Sequence, residues 1–198
     1  MANGPANLKP TGLGIAQSVS YLKTLDSGIY LERNRVIVDH IAACGPRRVL
    51  ELAAAHPQRA MMLLKRCAGI ELYEWSDWSE VAVEFARPLL AGDPRARVSR
   101  LDATLPETWS GDWDVILCDS IEHLPNDIEI LSAVRRGVRV FLSMPNWRGK
   151  THCRSYGSEK WIRDRYTGLL DFKWIEAFPW PTKKGKTMTV FLGEAVRT

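Results

Sequence analysis

Carboxylates close four successive short apolar runs. Glu51 follows "RVL", Glu74 and Asp77 bracket "WS", Asp102 follows "VSRL", and Asp119 follows "VILC". Acids gathered at one sheet edge repel one another, so the chemistry that would use them is a ligand bearing hydroxyl, amino or ammonium groups. An acid after a second strand suits paired ribose hydroxyls, because one carboxylate accepts from both. Asp77 and Glu74, three residues apart, compete for that part. His123 and His152 follow the fourth and fifth runs and are of the type that moves protons near neutral pH. For His123 the competing reading is a structural residue at a helix start. Trp147, Arg148 and Lys150 also follow the fifth run. They suit an aromatic or acidic ligand, and the competing reading is an exposed loop.

These residues need a scaffold that brings strand ends together, and the hydrophobic rhythm describes one. "GIYLERNRVIVDHIAACG" has a helical period, and Gly45-Pro46 stops it. A weaker helical pattern covers residues 13 to 25. The rhythm then shortens. "RRVLELAA", "IELYEW", "ARVSRLD", "DWDVILCDS" and "RVFLSMP" read as buried strands. "PQRAMMLLKRCAG", with proline at its start and glycine at its end, reads as a helix, as do "SDWSEVAVEFARPLLAG" and "SEKWIRDRYTG". "DFKWIEAFPW" and "KTMTVFLGEA" form a last pair joined by a short basic turn, hence antiparallel. The expectation is an α/β fold with a mostly parallel seven-stranded sheet whose last strand is antiparallel. Residues 1–12 read as a loose tail, 13–45 as an N-terminal helical cap and 46–198 as one ligand-binding domain. In an open sheet of this kind, ligands sit beyond the carboxyl ends of the strands.

Composition narrows the class. The chain has 198 residues and a net charge of +4, a mild bias that permits a nucleic-acid partner without arguing for one. No apolar run approaches the roughly 20 residues of a membrane span, and the N-terminus lacks the apolar core of a secretory signal. Cys44, Cys67, Cys118 and Cys153 have no paired spacing. That predicts reduced thiols, a cytoplasmic location and no zinc site.

Four stretches in this order carry a resemblance: "VLELAAAHP", "DWSEVAVEFAR", "DWDVILCDSIEHL", and "FLSMPNW" followed by "THCRSYGSEKWIRDRY". Together they resemble the Rossmann-like S-adenosylmethionine-dependent methyltransferases over about residues 30 to 198. The Glu-His-Leu run is the most specific of them. The resemblance implies S-adenosylmethionine as cofactor, with S-adenosylhomocysteine as product. It places Glu51 near the methionine amino group, Asp77 (or Glu74) on the ribose and Trp78 beside the adenine. Asp102 and Ala103 would meet the adenine amino group, and Cys118 and Asp119 the methionine moiety. Tyr30, Tyr21 or Arg35 would close over the carboxylate. The loop carrying His152 and Tyr156 would face the acceptor, making His152 a candidate general base.

One departure bears on all of this. The family's glycine turn would put glycine at 53, 55 and often 57, where this chain has Ala53, Ala55 and Pro57. A negative φ would tolerate alanine; a positive φ would cost on the order of 1 kcal/mol or more. A sulfonium cofactor brings no phosphate to cradle, so the turn is read as altered yet usable. The small chain favours a small-molecule acceptor, methylated on oxygen or nitrogen. The rivals are a scaffold that has lost its cofactor and a nucleic-acid or protein methyltransferase. A homodimer is open.

Overall fold

The computed structural model describes residues 19–25, 28–181 and 187–198. Helices α1 (Val19–Thr24) and α2 (Ile29–Ala43) come first, and Gly45, at φ 59°, ends the helical stretch as the Gly-Pro pair requires. The alternating segment follows: β1 (Arg48–Leu52), α3 (Gln58–Arg66), β2 (Leu72–Asp77), α4 (Glu80–Leu90), β3 (Ala96–Arg100), β4 (Val115–Cys118), α5 (Asp127–Ala133) and β5 (Arg139–Pro145). Helix α6 (Glu159–Arg165) leads to the long pair β6 (Leu170–Pro181) and β7 (Thr187–Arg197). Helix α5 was not anticipated; its seven residues are too few to show a period. The tail at 1–12 and the basic turn at 182–186 lie outside the described residues.

The sheet order is β3-β2-β1-β4-β5-β7-β6. Strands β1 to β5 are parallel, and β7 runs against both neighbours. The order reverses at β1, since β2 and β4 flank it, which opens a crevice at its carboxyl end.

Alternation along the central strands feeds two cores. Val49, Val115, Leu117 and Phe141 pack with Leu22, Ile37, Ile41, Leu63 and Val83, from helices α1 to α4. Leu50, Leu52, Ile116, Cys118, Val140 and Leu142 pack with Leu131 and Ile162, from α5 and α6. Both faces are covered, so the strands read as continuous apolar runs. Among the described residues no helix is long and apolar enough to cross a membrane, and Cys44, Cys67 and Cys118 form no disulfide.

Candidate functional site

A cavity of about 460 Å³ lies at the carboxyl ends of the parallel strands, within the roughly 300–1,000 Å³ of small-molecule sites. Its floor begins at the turn that leaves β1. Ala53 has φ 50° and Ala55 φ 55°. Both alanines hold the left-handed backbone that glycine usually provides, at about 1–2 kcal/mol each. The surroundings impose it. Ala54 N donates to the Ser76 carbonyl at 3.0 Å, Ser120 Oγ donates to the Ala53 carbonyl at 2.9 Å, and Ala55 N donates to Asp77 Oδ2 at 2.8 Å. Pro57 is the N-cap of α3, where its missing N–H costs nothing.

Asp77 ends β2 and lines the cavity. Burial raises its carboxyl pKa, against backbone N–H bonds from Ser79, at 2.7 Å, and Ala55. Glu74 lies mid-strand instead, accepting from Ser99 Oγ at 2.6 Å, and is not brought to the cavity. The strand runs two residues beyond the apolar run and so brings Asp77, not Glu74, to the cavity. Trp78, Asp102 and Ala103 line the same end. Asp102 Oδ1 accepts from Thr104 N and Oγ1 at 2.9 and 2.7 Å, and the Ala103 carbonyl accepts from Trp109 Nε1 at 3.2 Å. Both residues are thereby fixed in place.

Glu51 departs from expectation. It is fully buried and does not line the cavity. Arg59 Nε and the Tyr73 hydroxyl each donate to it at 2.7 Å. Burial raises its carboxyl pKa, while Arg59 and the Tyr73 bond oppose the rise. Arg59 also donates to Asn34 Oδ1 at 3.2 Å and pairs with Asp119, which Arg33 engages from α2. Burial would raise Asp119, but Arg33 and Arg59 outweigh it and hold the carboxyl below its usual range. Two atoms of this network are buried with no partner in hydrogen-bond geometry: Asp119 Oδ1, an acceptor whose carboxylate the Ser143 hydroxyl also helps to hold down in pKa, and Arg33 Nε, a donor. Both residues line the cavity.

The far end combines aromatic and titratable groups. Tyr30 and Trp180 meet edge to face at 4.8 Å, Trp147 lies 6.0 Å from Trp180, and Arg33 sits 5.6 Å from the Tyr30 and Trp180 rings. Glu122, His123 and His152 line the cavity beside them. His123 Nδ1 lies 3.1 Å from the Thr151 carbonyl, and His152 Nδ1 3.1 Å from that of Trp147. A carbonyl only accepts, so Nδ1 carries the hydrogen in both rings and Nε2 keeps the lone pair. Burial lowers both imidazole pKa values, which favours the neutral rings. Burial pushes Glu122 up to about 8, and its Oε2 has no partner.

Four other candidates fall outside the cavity. Cys118 points into the α5–α6 core, where burial pushes its thiol up to about 12. Tyr156 is fully buried, its hydroxyl 2.9 Å from that of Tyr166, which donates to Asp127 at 2.8 Å. Its aromatic ring serves the core. Arg148 and Arg35 are exposed, and the Tyr21 side chain lies outside the described residues. Arg33, Arg59 and Glu122 were not anticipated. Arg33 stands one helical turn from Tyr30, and that i,i+3 spacing was the available signal.

Neither a protein-family model nor a curated protein sequence matches this chain. Solved structures do. The N-methyltransferase NodS from Bradyrhizobium japonicum WM9, in complex with S-adenosyl-L-homocysteine, matches at a TM-score of 0.68 and 14% identity, over 92% of this chain and 94% of its own. Magnesium protoporphyrin IX methyltransferase (ChlM) from Synechocystis PCC 6803, with bound SAM, matches at 0.62 and 18%, over 91% and 86%. The 4+2 cyclase SpnF matches at 0.65 and 15%, over 83% and 80%. The fold is the Rossmann-like methyltransferase fold. Its neighbours do not share one reaction.

Proposed function

We propose that this chain is an S-adenosylmethionine-dependent methyltransferase acting on a small molecule. The observation that carries this reading is the turn after β1. It keeps the left-handed backbone at 53 and 55 with no glycine there. Such strain persists only where the surroundings enforce it, and it clusters at ligand sites.

The cavity also fits the cofactor's parts. Asp77 suits the ribose hydroxyls, and Trp78, Asp102 and Ala103 border the space for the adenine. The orphan acceptor on Asp119 and the orphan donor on Arg33 match an α-amino group and its carboxylate. Asp119 thus takes the part expected of Glu51. When bound, the cofactor supplies a methyl group activated on a sulfonium sulfur. The protein's share is positioning and exclusion of water. Tyr30, Trp147 and Trp180 form an apolar wall suited to a flat acceptor. Neutral His123 and His152 present Nε2 lone pairs that can take a proton or bind a cation. A reduced cytoplasmic setting accords with Cys44, Cys67 and Cys118, which form no disulfide.

Calorimetric titration with S-adenosylhomocysteine tests the reading, beside Asp77→Ala. Micromolar binding, weakened about 10- to 100-fold by loss of hydrogen bonds to a charged group, is the expected result. Folded protein that gives no heat with the ligand would instead support a scaffold that has kept the fold without the site.

A further inference from the structure

Outside the strand-end acids, one cluster among the described residues has the donors of a metal centre. Glu122 Oε1 lies 3.6 Å from His123 Nε2 and 4.0 Å from His152 Nε2. One donor atom from each of the three lies within 4.8 Å of the others. With metal–ligand bonds of about 2.1 Å, two ligands of one ion stand about 3 to 4 Å apart. The imidazoles are already in the ligating tautomer. Each gives its Nδ1 hydrogen to a backbone carbonyl, as metal-bound histidines do.

The chain holds the three together from two loops. Cys153 N donates to the Glu122 carbonyl at 2.8 Å, and Arg154 donates to the Ile121 carbonyl at 2.6 Å. The loop after β5 is thereby stitched to the turn after β4. Gly149 completes the arrangement, because a Cβ there would meet Cδ2 and Nε2 of His152 at 2.8 Å. Glu122 is only 7% exposed, and its Oε2 is buried without a partner. A cation is what such a carboxylate lacks. The nearby cations are committed elsewhere: Arg33 to Asp119, and Arg154 to Asp127 and main-chain carbonyls.

We propose that Glu122, His123 and His152 bind one divalent first-row transition-metal ion at the cavity wall. Two imidazoles and one carboxylate suit manganese, iron, cobalt, nickel or zinc over calcium and magnesium, which prefer oxygen ligands. Three protein ligands leave coordination positions open, as in catalytic sites. On the methyltransferase reading, on which this step rests, the open positions select the acceptor atom. A hydroxyl oxygen bound there would become more acidic, release its proton to solvent and keep a lone pair for the new bond to the methyl carbon as that carbon's bond to sulfur breaks. An amine nitrogen would spend its only lone pair on the ion. The acceptor is therefore an alcohol or phenol. The cysteine spacing, which predicted no metal, could not reveal a site built from histidine and glutamate.

The test titrates cobalt(II) into full-length protein stripped with a chelator, and follows the visible absorption bands. One equivalent should bind in the wild type. Affinity should fall at least about 10-fold in His152→Asn and in Glu122→Gln, on the scale seen when metal sites are disturbed. S-adenosylhomocysteine binding and the unfolding midpoint report that each variant is folded. If His152→Asn does not fold, Glu122→Gln carries the test. No cobalt binding by the wild type, or equal binding by folded variants, overturns the site. Cobalt binding without S-adenosylhomocysteine binding keeps the ion and overturns the methyltransferase reading. The converse result does the opposite.

Discussion

Two buried glutamates sit near the ends of neighbouring parallel strands, and their surroundings differ. Glu51, in β1, is closed off: a guanidinium and a phenol hydroxyl occupy its carboxylate. Glu122, just after β4, faces two imidazole nitrogens that bring lone pairs rather than hydrogens, and one of its oxygens has no partner. The first arrangement is complete without a ligand, and the second is not. Burial alone therefore does not mark a functional acid. What marks it is an unmet bonding requirement in a wall that a ligand can reach.

That contrast can be broken most forcefully at Arg59. Arg59→Leu removes the counter-charge of Glu51 and one of the two guanidiniums on Asp119. Stranding buried charges costs about 3–5 kcal/mol, read as a lower urea midpoint. A loss under about 1 kcal/mol, the range of exposed pairs, would mean that water reaches this network and that Glu51 is not closed.

Glu122→Gln should act in the opposite sense. The folded-state pKa of Glu122, about 8, lies above the ordinary 4.5. Between those values the unfolded chain has released a proton that the folded chain retains, so wild-type stability falls as pH rises through that window. The amide has no such dependence. In chelator-treated protein, the variant should therefore gain stability over the wild type from pH 5 to pH 8. Parallel pH profiles would show that Glu122 is fully charge-compensated in the fold, and the comparison would collapse.

The legibility of the molecule divides along the same line. The strands follow from apolar runs that need only period and length, so β1 to β5 could be read directly; their order in the sheet could not. The left-handed backbone at 53 and 55 could be posed from the missing glycines but not answered, because φ depends on what Ser76, Asp77 and Ser120 hold in place. Asp119 was legible as a strand-end acid. That Glu51 is closed off from the cavity was not, because that depends on where Arg59 reaches from α3. Tyr156 failed for a related reason: an aromatic residue in a functional loop and one in the core look alike until the loop is folded. His123 and His152 were seen as proton carriers. Only the folded chain brings both nitrogens to Glu122, across nearly thirty positions of sequence.

The smallest expected effect concerns the turn itself. Ala53→Gly and Ala55→Gly should each relieve about 1–2 kcal/mol of left-handed strain and return about 0.5–1 kcal/mol through the greater freedom of glycine in the unfolded chain. The difference, roughly 0.5–1 kcal/mol in favour of glycine, amounts to a rise of about 1–4 °C in Tm for a chain of this size. Ala54→Gly is the internal control. Ala54 sits between the two strained residues with no positive φ of its own and is buried in the core, so the same replacement there should lower Tm. Thermal unfolding of the three variants separates strain from a general preference for alanine. If all three fall together, the alanines at 53 and 55 are relaxed in solution, and the turn no longer supports the cofactor reading. If only Ala54→Gly falls, the chain has kept a glycine conformation without its glycines, and the residues around the turn are what preserve it.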